Sequence, residues 1–243
     1  MSARVAAFFD VDHTLLAVNS GRKWVEHLRR TGQLSTRKLL RSLLWLARYR
    51  LALLDLEAVT AEAVKDWAGR PTAALEAEVG AWFEAEIVRW ICPEGQARVA
   101  RHQQDGHVVA LLTSATRFSV EPLARRLGVA HVLCTRLEEV AGALTGRHVA
   151  PACAGPGKVA HAERFAAEHA IDLSRSYFYT DSYSDLPMLE RVNPKDRNAP
   201  LDTTQVTLSA GMMPEISLSS LLGLAGVSEL TDRGIVYLQA NDC

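Results

Sequence analysis

The sequence is short of net charge: Lys and Arg number 27 against 28 Asp and Glu. Nearly balanced charges give no global field to draw nucleic acid or an anionic membrane to the chain, so any charge-based function has to be local. Cysteine is sparse and scattered. Cys92, Cys134, Cys153 and Cys243 form no CxxC pair and no Cys/His cluster, which leaves neither a zinc site nor a disulfide framework and makes reduced thiols the expectation. The opening MSARVAAFF carries one arginine and an apolar run that soon meets Asp10, too short for a signal peptide. No export is expected, and the cytoplasm is the expected location. Solenoid repeats and low-complexity stretches are missing too.

What is present is a chain of 243 residues, 48% hydrophobic, enough for a large core and a second small module. Val5 to Phe9, "HVVALLTSAT" (107–116) and the start of "SYFYTDSYSD" (176–185) are short continuous apolar runs without helical spacing, which predict buried strands. Each runs into a polar, oxygen-rich segment. Helical patterns over 94–104, 118–127 closed by Gly128, and 159–170 lie between and after them. Strands alternating with helices predict an α/β fold with a Rossmann-like parallel sheet. In such sheets ligands gather beyond the carboxyl ends of the strands, where all three polar segments fall.

Residues from Ser20 to about Trp90 interrupt the alternation with helices rich in Leu, Ala, Glu and Arg, broken at Gly69 to Pro71. This predicts a helical insertion after the first strand. Within it, "RKLLRSLLWLARYRLALL" (37–54) puts Arg37, Arg41 and Arg48 on one stripe. Membrane-surface binding is conceivable there, but a buried helix with one solvated basic stripe is the simpler reading, because Arg stems also cover apolar surface. Five cations in this run argue against a membrane span. "RLEEVAGALTGRH" (136–148) reads as a small β-hairpin without catalytic role. From Pro194 onward there are 3 basic and 6 acidic residues, against 24 and 22 before it, and only "QVTLSA" and "IVYLQA" suggest strands.

Asp10 and Asp12 stand two apart at the end of the first run. If the backbone stays extended they share a side, and two such carboxylates repel unless a cation or a shared proton stabilises them. Magnesium is the economical cation, since it takes one or two carboxylates plus phosphate and water. Asp181 and Asp185 add acid at the third strand end, and Ser114 a hydroxyl at the second. Each alone has a bland explanation as a helix cap. Lys158 does not, because a cation in a helix's first turn opposes the dipole and makes more sense facing an anion. "GPGKV" is not a nucleotide P-loop, since the position for its first glycine is Ala152 and that for Ser/Thr is Val159.

Taken in order, "DVDHT", "LLTSAT", "GK" and "TDSYSD" resemble the four motifs of the haloacid dehalogenase superfamily of phosphohydrolases. The helical insertion after the first motif and "SDLPMLE" after the fourth are similar to the subfamily containing phosphoserine phosphatase, over residues 4–193. The resemblance implies that fold with a helical C1-type cap: 1–18 and 91–193 as catalytic core, 19–90 as cap, 194–243 as an atypical tail. It implies Asp10 as nucleophile forming an aspartyl-phosphate, and Asp12 as acid toward the leaving alcohol and then base toward water. Mg2+ would be held by Asp10, the main-chain carbonyl of Asp12, and Asp181, with Asp185 supporting it. Ser114 and Lys158 would bind the phosphoryl group. The general acid favours ester hydrolysis over dehalogenation, because an alkoxide needs a proton and a halide does not. The implied partner is a small phosphorylated metabolite.

Two departures matter. Phosphoserine phosphatases carry a glutamate nine residues after the nucleophile to hold the substrate's amino group, and here that position is Asn19, which cannot supply the countercharge. Histidinol-phosphate-type phosphatases share the same core, and a non-catalytic binding protein on this scaffold is the reading from another class. Secondly, the apolar strand that usually follows "DLPMLERV" is expected to be missing, since "VNP" comes at once. His13, between Asp12 and Thr14, is within reach of a ligand but is read as structural or solvated.

Overall fold

The computed structural model describes residues 3–33, 56–192 and 206–207. The basic stripe over 37–54 and most of the tail lie outside them. Five parallel strands form the central sheet in the order β3-β2-β1-β6-β7. They are β1 (Ala6–Phe9), β2 (Val108–Thr116), β3 (His131–Thr135), β6 (Tyr177–Tyr179) and β7 (Val206–Thr207). The two residues of β7 pair with Phe178 and Tyr179, so the edge position expected to be empty is taken by part of "QVTLSA".

β1 is buried along its whole length, and its residues alternate between two cores. Ala7 and Phe9 join Val109, Leu111 and Tyr179 on one face; Ala6 and Phe8 join Ala110, Leu112 and Phe178 on the other. A strand covered on both sides has no polar face to show, which is why these runs read as continuously apolar. Helices α4 (Pro93–Gln104) and α5 (Arg117–Leu127) cover the first face. Helices α6 (Pro156–His169) and α7 (Leu186–Val192) cover the second. Gly128 closes α5 at φ 64°, the left-handed cap a glycine adopts without strain.

Between β1 and β2 the chain forms α1 (Ser20–Arg30), α2 (Leu56–Val64) and α3 (Thr72–Trp82). The last continues through a π turn at Phe83–Ile87 and a 3-10 turn at Val88–Trp90. Trp24 of α1 and Trp82 of α3 meet edge to face, centroids 5.0 Å apart, a geometry that complements the ring quadrupoles. At the predicted break, Gly69 N donates to Leu144 O (2.8 Å) and Thr72 N to Gly142 O (2.9 Å). The hairpin of β4 (Leu137–Val140) and β5 (Ala143–His148) therefore docks on the insertion. Cys134 and Cys153 are buried free thiols. Among the described residues no helix is long and apolar enough to cross a membrane.

Candidate active site

The site is assembled where β1, β2 and β6 end. Asp10 N donates to Tyr179 O at 2.8 Å, carrying the β1–β6 pairing one residue past Phe9. The Asp10 carboxyl group is thereby set at the carboxyl rim, nearly buried. Its Oδ1 accepts from Val11 N at 2.8 Å, and its Oδ2 lies 3.0 Å from Lys158 Nζ.

Extended geometry does not persist beyond this point, contrary to the simplest reading of the Asp pair. The backbone coils instead: Val11 O accepts from Thr14 N, Leu15 N and Leu16 N at 3.3, 2.9 and 2.9 Å. The turn still leaves Asp12 within the field of Asp10 and delivers it to the start of α1, where its Oδ1 accepts from Ser20 N at 2.9 Å. Burial pushes the Asp12 carboxyl up to about 6, against the hydrogen bonds from Ser20 and with help from Asp10. Such a group holds a proton more readily than a free aspartate, which suits a general acid.

Lys158 is the third residue of α6 and its side chain is only 3% exposed. A Cβ on the preceding Gly157 would fall 1.9 Å from Ala152 O, so only glycine lets the loop before α6 pack onto the helix start and seat the lysine. Its Nζ donates to Asp185 Oδ2 at 2.6 Å. Burial alone would lower the Lys158 pKa, but Asp10 and Asp185 outweigh it and hold the ammonium charged. Thr180 Oγ1 donates to the same Asp185 oxygen at 2.6 Å and accepts from Ser182 N at 3.1 Å. The hydroxyl of Thr180 was not singled out in the sequence, although its place directly before Asp181 was the available signal.

Asp181 follows β6, and its carboxyl is pushed up to about 7, by burial first and then by the charge of Asp10. A site that resists holding both carboxylates ionised calls for a cation. Hard oxygen donors of this kind, Asp10, Asp181 and the Asp12 carbonyl, fit magnesium. Among the described residues no three His, Cys, Asp or Glu side chains cluster as metal ligands; the set proposed here has two carboxylates and one main-chain oxygen.

Ser114 is exposed at the end of β2. The β2–β3 register slips between Thr113, opposite Cys134, and Thr116, opposite Thr135. Such an irregularity takes Ser114 and Ala115 out of the ladder and presents their polar groups at the rim, a common use of bulges beside active sites. Asn19 is the N-cap of α1, its Oδ1 accepting from Arg22 N at 2.8 Å. Replacing Asn19 by Ala is expected to cost about 1 kcal/mol of stability and replacing it by Asp very little, read from urea midpoints at constant m.

The family model for haloacid dehalogenase-like hydrolases matches residues 7–190. A phosphoserine phosphatase of Mycobacterium tuberculosis is 34% identical over 193 residues, covering 77% of this chain and 62% of its own length. A histidinol-phosphatase of Neisseria meningitidis is 28% identical, covering 77% of this chain and 86% of its own. Among solved structures, a protein of unknown function from Bordetella pertussis is 26% identical with a TM-score of 0.79, covering 98% of this chain and all of that one.

Proposed function

The chain belongs to the haloacid dehalogenase-like hydrolase family, and we propose that within it the protein is a magnesium-dependent phosphatase acting on a small phosphomonoester. Residues 1–18 and 91–193 are its catalytic core and 19–90 its cap. The observation that carries this reading is the seating of Asp10: one oxygen is held by Val11 N and the other faces a buried, charged Lys158. That arrangement orients the carboxylate at a strand end beside a fixed cation, as a nucleophile requires.

Asp10 attacks phosphorus, a new P–O bond forms to its carboxylate, and the ester bond to the leaving oxygen breaks. Asp12 donates its proton to that oxygen, then takes one from the water that hydrolyses the aspartyl-phosphate. Ser114 and the amides beside it bind the phosphoryl oxygens. Lys158 offsets the negative charge that accumulates between Asp10 and the phosphate. Asp185, itself fixed by Thr180, holds Lys158 in place. Magnesium, when held by Asp10, Asp181 and the Asp12 carbonyl, would offset the repulsion between phosphate and carboxylate.

With the position of the amine-binding glutamate occupied by a capping Asn19, phosphoserine is a poor candidate substrate. The phosphoserine phosphatase and histidinol-phosphatase relatives support the ester class and leave the leaving group open. Purified protein is expected to hydrolyse 4-nitrophenyl phosphate, to lose at least about two orders of magnitude of that rate on chelation, and to regain it with Mg2+. Activity indifferent to chelator would sink the metal assignment. A folded protein that turns over no ester in a broad panel would favour a binding role on this scaffold.

A further inference from the structure

His13 sits at the tip of the turn between the two acids, and two observations set it apart. Its φ is 57°, in the left-handed region that glycine occupies freely and a side chain only against steric resistance. The turn would form more easily with glycine there. Moreover, the other histidines have other partners: His27, His102, His107 and His161 are hydrogen-bonded, His131 and His169 lie in ring contacts, and His148 has a partner too. His13, by contrast, has neither a hydrogen bond nor a ring contact among the described residues, although it is half-buried and feels the charge of Asp10. A left-handed residue whose imidazole serves no internal contact leaves that ring available to a ligand.

We infer that His13 is a specificity-determining residue whose ring N–H donates a hydrogen bond to the leaving group of the substrate. The inference rests on the phosphatase reading given above. The phosphoryl group already has Ser114, Lys158 and rim amides to receive it. The leaving group has lost the partner that the family resemblance would give it, because Asn19 Oδ1 is spent on Arg22 N. An unpartnered imidazole adjacent to Asp12, the residue assigned to protonate the leaving oxygen, is placed to replace it. A ring N–H donor selects leaving groups that carry an acceptor oxygen near the ester, such as a hydroxyl or carboxylate, over an aryl group without one.

The test compares wild type, His13→Gly and His13→Asn for kcat/KM on a panel of polar phosphomonoesters (glycerol phosphates, sugar phosphates, phosphorylated hydroxy acids) and on 4-nitrophenyl phosphate. In His13→Gly the ratio of polar to aryl kcat/KM is expected to fall about five- to tenfold, the worth of one hydrogen bond. Its Tm should be equal to or above that of wild type, because strain is relieved. His13→Asn, which tolerates the same backbone and keeps an N–H donor, should recover part of the ratio. An unchanged ratio, or a His13→Gly protein that melts several degrees lower, overturns the inference while leaving the phosphatase reading intact. A wild type inactive on the whole panel overturns both.

Discussion

Asp10→Asn is expected to abolish phosphomonoester hydrolysis, by on the order of 10^4-fold or more, while the protein stays folded. The size follows from the role: without a carboxylate there is no covalent intermediate, and removal of a nucleophile is among the largest single losses an enzyme shows. The fold should survive because the substitution leaves the main-chain bond from residue 10 to Tyr179 O, at 2.8 Å, in place. Lys158 also keeps Asp185 at 2.6 Å, so the buried ammonium is not stranded. Steady-state assays and a circular-dichroism melt read the two halves of the expectation separately. In wild type, acid quenching during turnover should trap phosphate on the peptide containing Asp10, and in the variant it should not. Full activity in Asp10→Asn would end the covalent mechanism.

Most of the sheet could be read from the sequence because its strands are buried on both faces and so stand out as unbroken apolar runs. β3 was not distinguished, since "HVLCT" is short and mixes polar residues into an edge strand with one free side. β7 was missed as a pairing partner for β6 because a two-residue contact leaves no periodicity to detect. Within the candidate site, residue types and order suggested Asp10, Asp12, Ser114, Lys158, Asp181 and Asp185, but not how they are held. The coil around Val11 O, the slip in the β2–β3 register and the capping by Asn19 are backbone events. Their causes lie in hydrogen bonds between residues that no linear pattern marks. Thr180 was illegible for a related reason, being informative only through its partner, Asp185.

Replacing Lys158 by Met is expected to damage stability as well as activity. The ammonium is buried between Asp10 Oδ2 and Asp185 Oδ2, at 3.0 and 2.6 Å, and lies 5.5 Å from the centre of the Phe178 ring. Met fills similar volume, so packing is nearly conserved and the change isolates the charge. Two carboxylates are then left in a buried site without their cation, a situation that typically costs about 3–5 kcal/mol. Turnover should fall roughly 10^2- to 10^3-fold, the usual consequence of losing one preorganised charge at a transition state. The two effects separate in the double variant Lys158→Met with Asp185→Asn. Neutralising Asp185 removes half of the unbalanced charge and leaves Thr180 Oγ1 an amide oxygen to donate to, so the double variant should be more stable than the sum of the single changes by roughly 1 kcal/mol or more. Its activity should not return, because the Lys158 ammonium is still missing from between Asp10 and the phosphate. Urea melts of the four proteins in the cycle check this. Strict additivity would mean that Lys158 and Asp185 do not act as a pair, and that Lys158 is held in the site by Asp10 alone.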